Sequence, residues 1–204
     1  MVGWRRSETA VRLWIEQLEL RRPIQNLREY TPGSFDRGAS WWLEACWILL
    51  GSPAVASCVP GSRWRAGVLR IFGARIEANV TLKPRLSIKF PWRLTVMANS
   101  WIGEGTWIDN LAVVTIGSNV CISQGAYLCT GSHDWSRPNF QLMVNGIDIE
   151  DEAWICAKAV VTSGVKIGHG AVVCAGAVVS KSIPSLEVHA GNPAKFLRKR
   201  EQKG

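Results

Sequence analysis

Aliphatic residues recur every six positions in several runs between residues 76 and 179. The series is Ile76, Leu82, Ile88, Leu94, Ile102, Ile108, Ile116, Ile122, Leu128, Ile149, Ile155, Val161, Ile167, Val173 and Val179. An α-helix repeats near 3.6 residues and an isolated strand near two, so neither sustains a period of six. Three units of one short strand and one turn make a triangular coil of about 18 residues. The period therefore predicts a solenoid with these aliphatics inside.

Small residues stand where such a coil must turn. The units Ile167-Gly-His-Gly and Val173-Cys-Ala-Gly place glycine two or three positions before the next aliphatic. Glycine tolerates the unusual torsions and close approaches of a tight corner. The alternative is a β-sandwich with regularly spaced strands, which would need this long register to arise by chance.

Five stretches carry a more specific pattern. They read LRIFGARI (69–76), FPWRL (90–94), TIGSNVCISQGAYLCTGSHDW (115–135), AWICAKAVVTSGVKIGHGAVVCAGAVVSKSIP (153–184) and AGNPAKFLRKR (190–200). They resemble the hexapeptide-repeat acyltransferases, and within them the colanic-acid-biosynthesis and nodulation-type sugar O-acetyltransferases. The resemblance implies a mainly β fold, a left-handed parallel β-helix, which is an exception to the right-handed crossover rule. It also implies a homotrimer with active sites between subunits.

The charge and the tryptophans concentrate in the N-terminal part. Residues 1–93 hold 15 Lys/Arg against 7 Asp/Glu and seven of the eleven tryptophans. Ser7–Arg22 has an amphipathic pattern, and Ser40 could cap a second helix over Trp41–Leu50. We expect three parts: a helical, basic cap (1–68), the β-helix (69–190) and a basic C-terminal tail (191–204).

The cap has two possible roles. It could simply cover the open end of the solenoid. With Arg63, Arg65, Arg70, Arg75 and the tryptophans it could also contact an anionic membrane or a lipid-linked substrate. The sequence has no recognised nucleic-acid motif, and we expect no nucleic-acid partner.

No signal peptide is expected, because the first residues are charged and have no apolar core. The most apolar stretch, Trp41–Val59, is interrupted by Glu44, Gly51, Ser52 and Pro53. It is too broken for a simple membrane span. The expected location is the cytoplasm, with peripheral contact at the inner face of the cell membrane as an option.

His133 is the candidate catalytic residue. It stands where the repeat breaks, beside a predicted loop excursion over residues 134–146, and such excursions commonly carry function. An imidazole can take a proton from an acceptor hydroxyl and return it to a leaving thiolate. The resemblance implies that His133 does this directly, without an acyl-enzyme. Asp134 could orient the imidazole.

The resemblance places acceptor-binding residues one coil earlier, at Asp109 and Asn110. The alternative for both is a solvated corner. Trp135 could stack on a sugar ring or anchor the loop.

The donor side follows from the same resemblance, which implies acetyl-CoA as the co-substrate. The matching positions are Trp154, Ala157, Ala175, Ser180, Lys181, Lys195 and Arg198. The cations could pair with phosphates. The six cysteines form no CxxC pair, and Asp148, Glu150, Asp151 and Glu152 have the pattern of a solvated turn, so we expect no metal.

The sequence thus predicts an acetyl-CoA-dependent O-acetyltransferase that acts on a sugar hydroxyl of an exopolysaccharide or another surface glycan. One alternative is a small-molecule acyltransferase that modifies an antibiotic, serine or an amino-sugar nitrogen. Another is a non-catalytic β-helix scaffold trimer.

Overall fold

A computed structural model describes residues 11–14 and 24–201 of the chain. These residues form two compact units. The first holds the described residues up to Phe35 together with His133–Met143, and the second holds Asp36–Ser132 and the chain from Val144 onward. Within the first unit, the Asn26 N–H donates to the Pro138 carbonyl oxygen at 2.7 Å. The division at residues 68 and 190 stays a prediction.

The second unit is a parallel β-solenoid of about six turns. One sheet contains β1 (Arg75–Ile76), β4 (Leu94–Val96), β7 (Val114–Ile116), β12 (Ile147–Ile149) and β15 (Lys166–Ile167). A second contains β2 (Thr81–Leu82), β5 (Trp101–Ile102), β8 (Cys121–Ile122), β13 (Trp154–Ile155), β16 (Val172–Val173) and β18 (Glu187–Ala190), with β19 (Lys195–Lys199) antiparallel at its edge. A third contains β3 (Ser87–Ile88), β6 (Trp107–Asp109), β9 (Tyr127–Cys129), β14 (Val160–Val161) and β17 (Val178–Val179). Two strands outside the coils, β10 (Gly131–His133) and β11 (Leu142–Val144), form a separate two-stranded sheet.

The repeated aliphatics form the core, as the period predicts. Every one of the fifteen in the series is buried, and each such side chain contributes about 1.5–3 kcal/mol on burial. The register differs at one place. Val96, which is fully buried, pairs with Ile76 on one side and Ile116 on the other, whereas Leu94 pairs with Val114. Leu94, which the six-residue period selects, therefore lies two residues before the position that stacks on Ile76 and Ile116.

The first coils are longer than the later ones. Ile76, Val96 and Ile116 stack at intervals of 20 residues, whereas Ile149 and Ile167 are 18 apart. The additional residues fall between the third sheet and the first, at the 3-10 turn Pro91–Arg93 and again after Asp109. The two-residue surplus between Ile108 and Ile116 in the sequence is thus a wider corner.

A helical region precedes the solenoid. It consists of α1 (Trp41–Cys46), a π-helical turn (Trp47–Gly51), α2 (Ser52–Ala56) and α3 (Ser62–Ile71). Ser40 caps α1 as predicted, because its hydroxyl accepts from the Leu43 N–H at 3.3 Å. Residues 11–14 are helical, and the remainder of the predicted Ser7–Arg22 helix lies outside the described residues.

Arg65 is not one of the cations that the cap could offer to an anionic partner. Its side chain is completely buried. The guanidinium donates to the carbonyl oxygens of Val55, Ser57, Val59 and Gly61. Burial lowers the pKa of Arg65, and these contacts satisfy the donors that burial removes from water. Arg65 therefore holds the chain that links α2 to α3.

The predicted C-terminal tail is also structured. Lys195–Lys199 is the strand β19, which pairs antiparallel with β18 and closes the edge of the second sheet. Within residues 11–14 and 24–201, no helix has the length and apolar character needed to cross a membrane.

Candidate active site

His133 ends strand β10 and is half-buried. Its Nδ1 lies 3.0 Å from the carbonyl oxygen of Phe140. A carbonyl oxygen can only accept, so Nδ1 carries the proton and donates. The neutral imidazole then presents Nε2 with a free lone pair, which is the arrangement a general base requires.

The Phe140 side chain also packs on the imidazole. The two rings stack with centroids 4.3 Å apart and planes only 7° from parallel. Phe140 has φ of 47°, which is uncommon for a bulky residue and is a form of strain found at functional sites. One residue thus fixes both the tautomer and the plane of the imidazole.

Asp134 has a different role from the predicted one. Its carboxylate accepts from the N–H and hydroxyl of Ser136 and forms an ion pair with Arg137 at 3.1 Å. These contacts, Ser136 first, lower the pKa of Asp134. The carboxylate therefore stabilises the turn after His133, and the orienting contact comes from Phe140.

Tyr30 and Phe140 are the residues near His133 that sequence reasoning missed. The Tyr30 ring lies 5.9 Å from the imidazole, centroid to centroid, at a tilt of 59°. No local signal in the sequence could indicate a contact between positions so far apart. Trp135 is 79% exposed, so its ring does not anchor the loop.

In the second unit, Asp109 and Asn110 point in different directions. Asn110 is fully buried, and its side-chain amide exchanges two hydrogen bonds with the Phe90 backbone, at 3.0 and 2.6 Å. Asn110 therefore links the wide corners of two successive coils, and its buried side chain cannot contact an acceptor sugar. This corrects the expectation that Asn110 binds the sugar. The Asp109 carboxylate lies 3.4 Å from the Tyr127 hydroxyl.

An aromatic pair stands beside Asp109. Trp107 and Tyr127 stack with centroids 4.5 Å apart, and Trp107 is 46% exposed. Burial, together with neighbouring Cys129 and Asp109, raises the pKa of Tyr127, so its hydroxyl stays protonated and can donate to the Asp109 carboxylate. Exposed indole faces next to a carboxylate are suited to stacking on and hydrogen bonding to sugars.

A groove of about 390 Å³ runs along the outer face of the second sheet. It is lined by Lys83, Trp101, Ile102, Gly103, Glu104, Cys121, Ile122, Ser123 and Gln124. The Trp154 indole N–H donates to the Ser123 hydroxyl at 2.9 Å, next to this groove. Sequence reasoning identified Trp154 but missed the groove, because its lining comes from coils that show no departure from the repeat.

The predicted donor residues lie on the last coils. Ala157 and Ala175 occupy equivalent corners, with the Gly176 N–H donating to the Ala157 carbonyl at 2.9 Å. The segment after Gly191 crosses β17: the Val178 N–H donates to the Gly191 carbonyl, and the Ala194 N–H to the Val178 carbonyl. This crossing brings Lys195 to the same end of the solenoid as the exposed Ser180 and Lys181.

The basic side chains at this end fall into two groups. Lys181, Lys195 and Arg198 are exposed and form no ion pair with the described residues. Lys199, by contrast, is bound to Glu187 at 2.9 Å, and Arg200 donates to the carbonyls of Glu152 and Gly170. The first group is therefore free to pair with an anionic ligand.

The side chains of His189 and of the acidic residues between Asp148 and Glu152 form contacts within the fold. His189 Nε2 lies 2.9 Å from a Glu187 carboxylate oxygen, and this contact and Lys199 lower the pKa of Glu187. In the acidic turn, Glu150 pairs with Lys166 at 2.6 Å, and Asp151 accepts from the Ser118 N–H at 2.8 Å. Among the residues that the structure describes, no group of His, Cys, Asp and Glu side chains could hold a metal ion.

Solved structures share this architecture. A hexapeptide-repeat acetyltransferase of Vibrio cholerae, solved with acetyl-CoA, aligns with a TM-score of 0.72 over 86% of this chain and 97% of that one, at 22% identity. A galactoside acetyltransferase in complex with coenzyme A aligns with a TM-score of 0.69 over 78% and 82% of the two chains, also at 22% identity. The fold is that of the hexapeptide-repeat acetyltransferases.

Sequence comparison narrows this class. A scan against protein-family models finds no match. The chain is, however, 41% identical over 160 residues to the colanic acid biosynthesis acetyltransferase WcaF of Escherichia coli (strain K12), covering 78% of this chain and 85% of that protein. The chain belongs to the hexapeptide-repeat acetyltransferases, in the family of WcaF.

Proposed function

We propose that this protein is an acetyl-CoA-dependent O-acetyltransferase that modifies a sugar hydroxyl during the synthesis of an exopolysaccharide or another surface glycan. The observation that carries the proposal is the 3.0 Å contact from His133 Nδ1 to the Phe140 carbonyl, which leaves Nε2 free to act as a base. The acetyl donor and the glycan are suggested by the family, since WcaF is named for colanic acid biosynthesis.

In the proposed reaction, Nε2 of His133 removes the proton from the acceptor hydroxyl as its oxygen attacks the thioester carbonyl. The tetrahedral intermediate then collapses, and the bond to sulfur breaks. The thiolate of coenzyme A takes the proton from the imidazolium. The products are an acetyl ester and free coenzyme A, and no covalent enzyme intermediate forms.

The donor fits the last coils on chemical grounds. The small side chains of Ala157 and Ala175 leave room for a narrow pantetheine arm, and the Trp154 indole is exposed. Lys181, Lys195 and Arg198 offer cations for its phosphates. On the acceptor side, Asp109, Trp107 and Trp135 are the candidates.

The proposed active assembly is a homotrimer with sites between subunits, as the family resemblance implies. In such a trimer, residues of one copy would complete the site of the next. A glycan acceptor carried on a lipid would bring the enzyme to the inner face of the cell membrane.

The test is thiol release from acetyl-CoA against a panel of mono- and oligosaccharides, for the full-length wild type and His133→Ala. We expect release that depends on the sugar and falls at least about a hundredfold in the variant. His169→Ala is the matched control, since His169 is an exposed corner residue, and it should keep wild-type activity.

Other outcomes would change the proposal. Release with an antibiotic, serine or an amino sugar, but with no hydroxyl sugar, would replace the acceptor class. Absence of coenzyme A binding would overturn the enzymatic function in favour of a scaffold. Undiminished activity in His133→Ala would show that another residue is the base.

A further inference from the structure

The helical segment Trp41–Ala56 presents a large apolar surface to solvent. Its members are Trp41 (66% exposed), Trp42 (64%), Ile48 (56%), Leu49 (73%) and Leu50 (68%). The two indoles stack on each other with centroids 3.8 Å apart. Adjoining apolar side chains of this size are rarely left exposed on a protein that has no partner there. These five side chains are called the Trp41–Leu50 face below.

The side of the segment opposite this face is packed against the protein. Trp47 and Val55, on the opposite side of the segment, are only 2% and 1% exposed. Trp47 packs edge-on against Phe72 at 5.2 Å, and Gly51 lies so close that a Cβ there would come within 2.3 Å of the Trp47 ring. The apolar side chains are therefore displayed by a packed element and are not exposed by fraying.

The segment carries almost no charge of its own. Glu44 is its one charged residue, and it is neutralised by an ion pair with Arg37. Arg37 first, and Lys89 to a smaller degree, lower the pKa of Glu44, which places Lys89 within electrostatic reach of the segment. No uncompensated carboxylate therefore opposes an anionic partner here.

The neighbouring helix α3 adds cations. Arg63 and Arg70 are exposed and seven residues apart, which puts them on one side of the helix. Arg70 donates to the backbone carbonyls of Ile76 and Glu77, so its charge is not cancelled by an acid. The same helix ends at Ile71, which is 77% exposed.

We propose that the Trp41–Leu50 face docks on an anionic lipid bilayer. Tryptophans favour the level of the headgroups, and aliphatic side chains favour the acyl boundary beneath it. Arg63, Arg70 and Lys89 would pair with lipid phosphates, to which a basic surface is attracted. A second copy that packs through the same face fits less well, because it would bring the same cations with it.

The inference stands on this surface alone and does not depend on acetyl transfer. If the proposed function also holds, docking would place the enzyme where a lipid-linked glycan is accessible.

The experiment is flotation of the full-length protein with vesicles of phosphatidylcholine, alone or with about one-third phosphatidylglycerol. We expect at least about tenfold more protein bound to the anionic vesicles, and less at high salt. Leu49→Glu/Leu50→Glu should lose this binding by at least about tenfold. Val113→Glu is the matched control, since Val113 is 55% exposed on the β-helix outside this face, and it should bind like the wild type.

A second variant, Arg63→Gln/Arg70→Gln, keeps the apolar face and tests the charge. It should retain weak binding to phosphatidylcholine and lose the preference for anionic vesicles. Circular dichroism confirms that each variant is folded.

Equal flotation of wild type and Leu49→Glu/Leu50→Glu, or no flotation of the wild type, would overturn the proposal. A smaller particle mass for that variant in lipid-free solution would assign the face to a second copy instead. Acetyl transfer to a soluble sugar should persist in both variants, which separates this inference from the proposed reaction.

Discussion

The Nδ1 atom of His133 and the carbonyl oxygen of Phe140 lie 3.0 Å apart across a turn of the loop. A backbone carbonyl oxygen can only accept a hydrogen bond, so Nδ1 must be the donor. The contact therefore fixes which ring nitrogen carries the lone pair and the direction in which that nitrogen points.

Removing the Phe140 ring should weaken catalysis without affecting donor binding. Phe140→Ala keeps the carbonyl but removes the stacked ring, so the imidazole can rotate, and we expect kcat to fall about tenfold. KM for acetyl-CoA should not change, and steady-state thiol release measures both. Phe140→Tyr keeps the ring and should restore activity. Asp134→Asn, which alters the neighbouring turn, should stay within about twofold of wild type. A larger loss in Asp134→Asn than in Phe140→Ala would return the orienting role to the carboxylate.

Asn110 should matter for stability. Its side chain satisfies both the N–H and the C=O of Phe90 in the core. Asn110→Ala removes both of these hydrogen bonds, although the Phe90 carbonyl oxygen keeps the Arg93 N–H as a donor at 3.0 Å, and we expect the free energy of unfolding to fall by about 1–3 kcal/mol. Urea unfolding at a fixed protein concentration measures the change. Asp109→Ala, one residue earlier and partly exposed, should shift it by less than about 0.5 kcal/mol. Equal effects of the two substitutions would contradict the bridging role.

The two groups of C-terminal cations should separate in donor binding. Lys181→Ala removes a cation that has no ion pair among the described residues, and we expect KM for acetyl-CoA to rise about tenfold with kcat unchanged. Lys199→Ala removes a cation already bound to Glu187, so its KM should remain at the wild-type value. If both variants raise KM equally, the cations act only through a general positive field.

Cys156 should resist alkylation. Burial, with smaller contributions from Cys174 and Cys121, raises the pKa of Cys156 to about 11. A raised pKa lowers the thiolate fraction at pH 8, so iodoacetamide should modify Cys156 about a hundredfold more slowly than the exposed Cys46 or Cys58. Its rate should climb until the pH approaches 11. Peptide mass spectrometry after timed quenching measures each site, and equal rates at pH 8 would contradict this environment.

The repeat made the core predictable. Ile102 and Ile155 are buried for the same reason, because each is the inward position of its unit. Leu94 and Val96 show where this reasoning fails. Both are buried, and only the pairing of neighbouring strands decides which one stacks on Ile76. The left-handed sense of the coil and the trimer rest on family resemblance and remain predictions.

The candidate site was less predictable than the core. His133 could be located because the repeat breaks beside it. The Phe140 carbonyl could not, because any residue has one and only the folded loop brings it to Nδ1. Arg65 was misread as a surface cation for a similar reason. The groups that bind its guanidinium are backbone carbonyl oxygens. Every residue has one, so the surrounding sequence does not indicate this contact.

The wide corners of the first coils explain where a long insertion can be accommodated. Phe90 and Asn110 lie on one edge of the solenoid, and at the next level Thr130 takes the same place: its N–H donates to the Asp109 carbonyl and its hydroxyl accepts from the Ala112 N–H. After Thr130 the chain leaves the coil, and the Asn145 N–H, donating to the Thr130 carbonyl, marks its return. The corners of successive coils that depart from the six-residue period thus lie along one edge of the solenoid. At that edge the chain can carry an insertion, while the remaining two edges keep the coils in register.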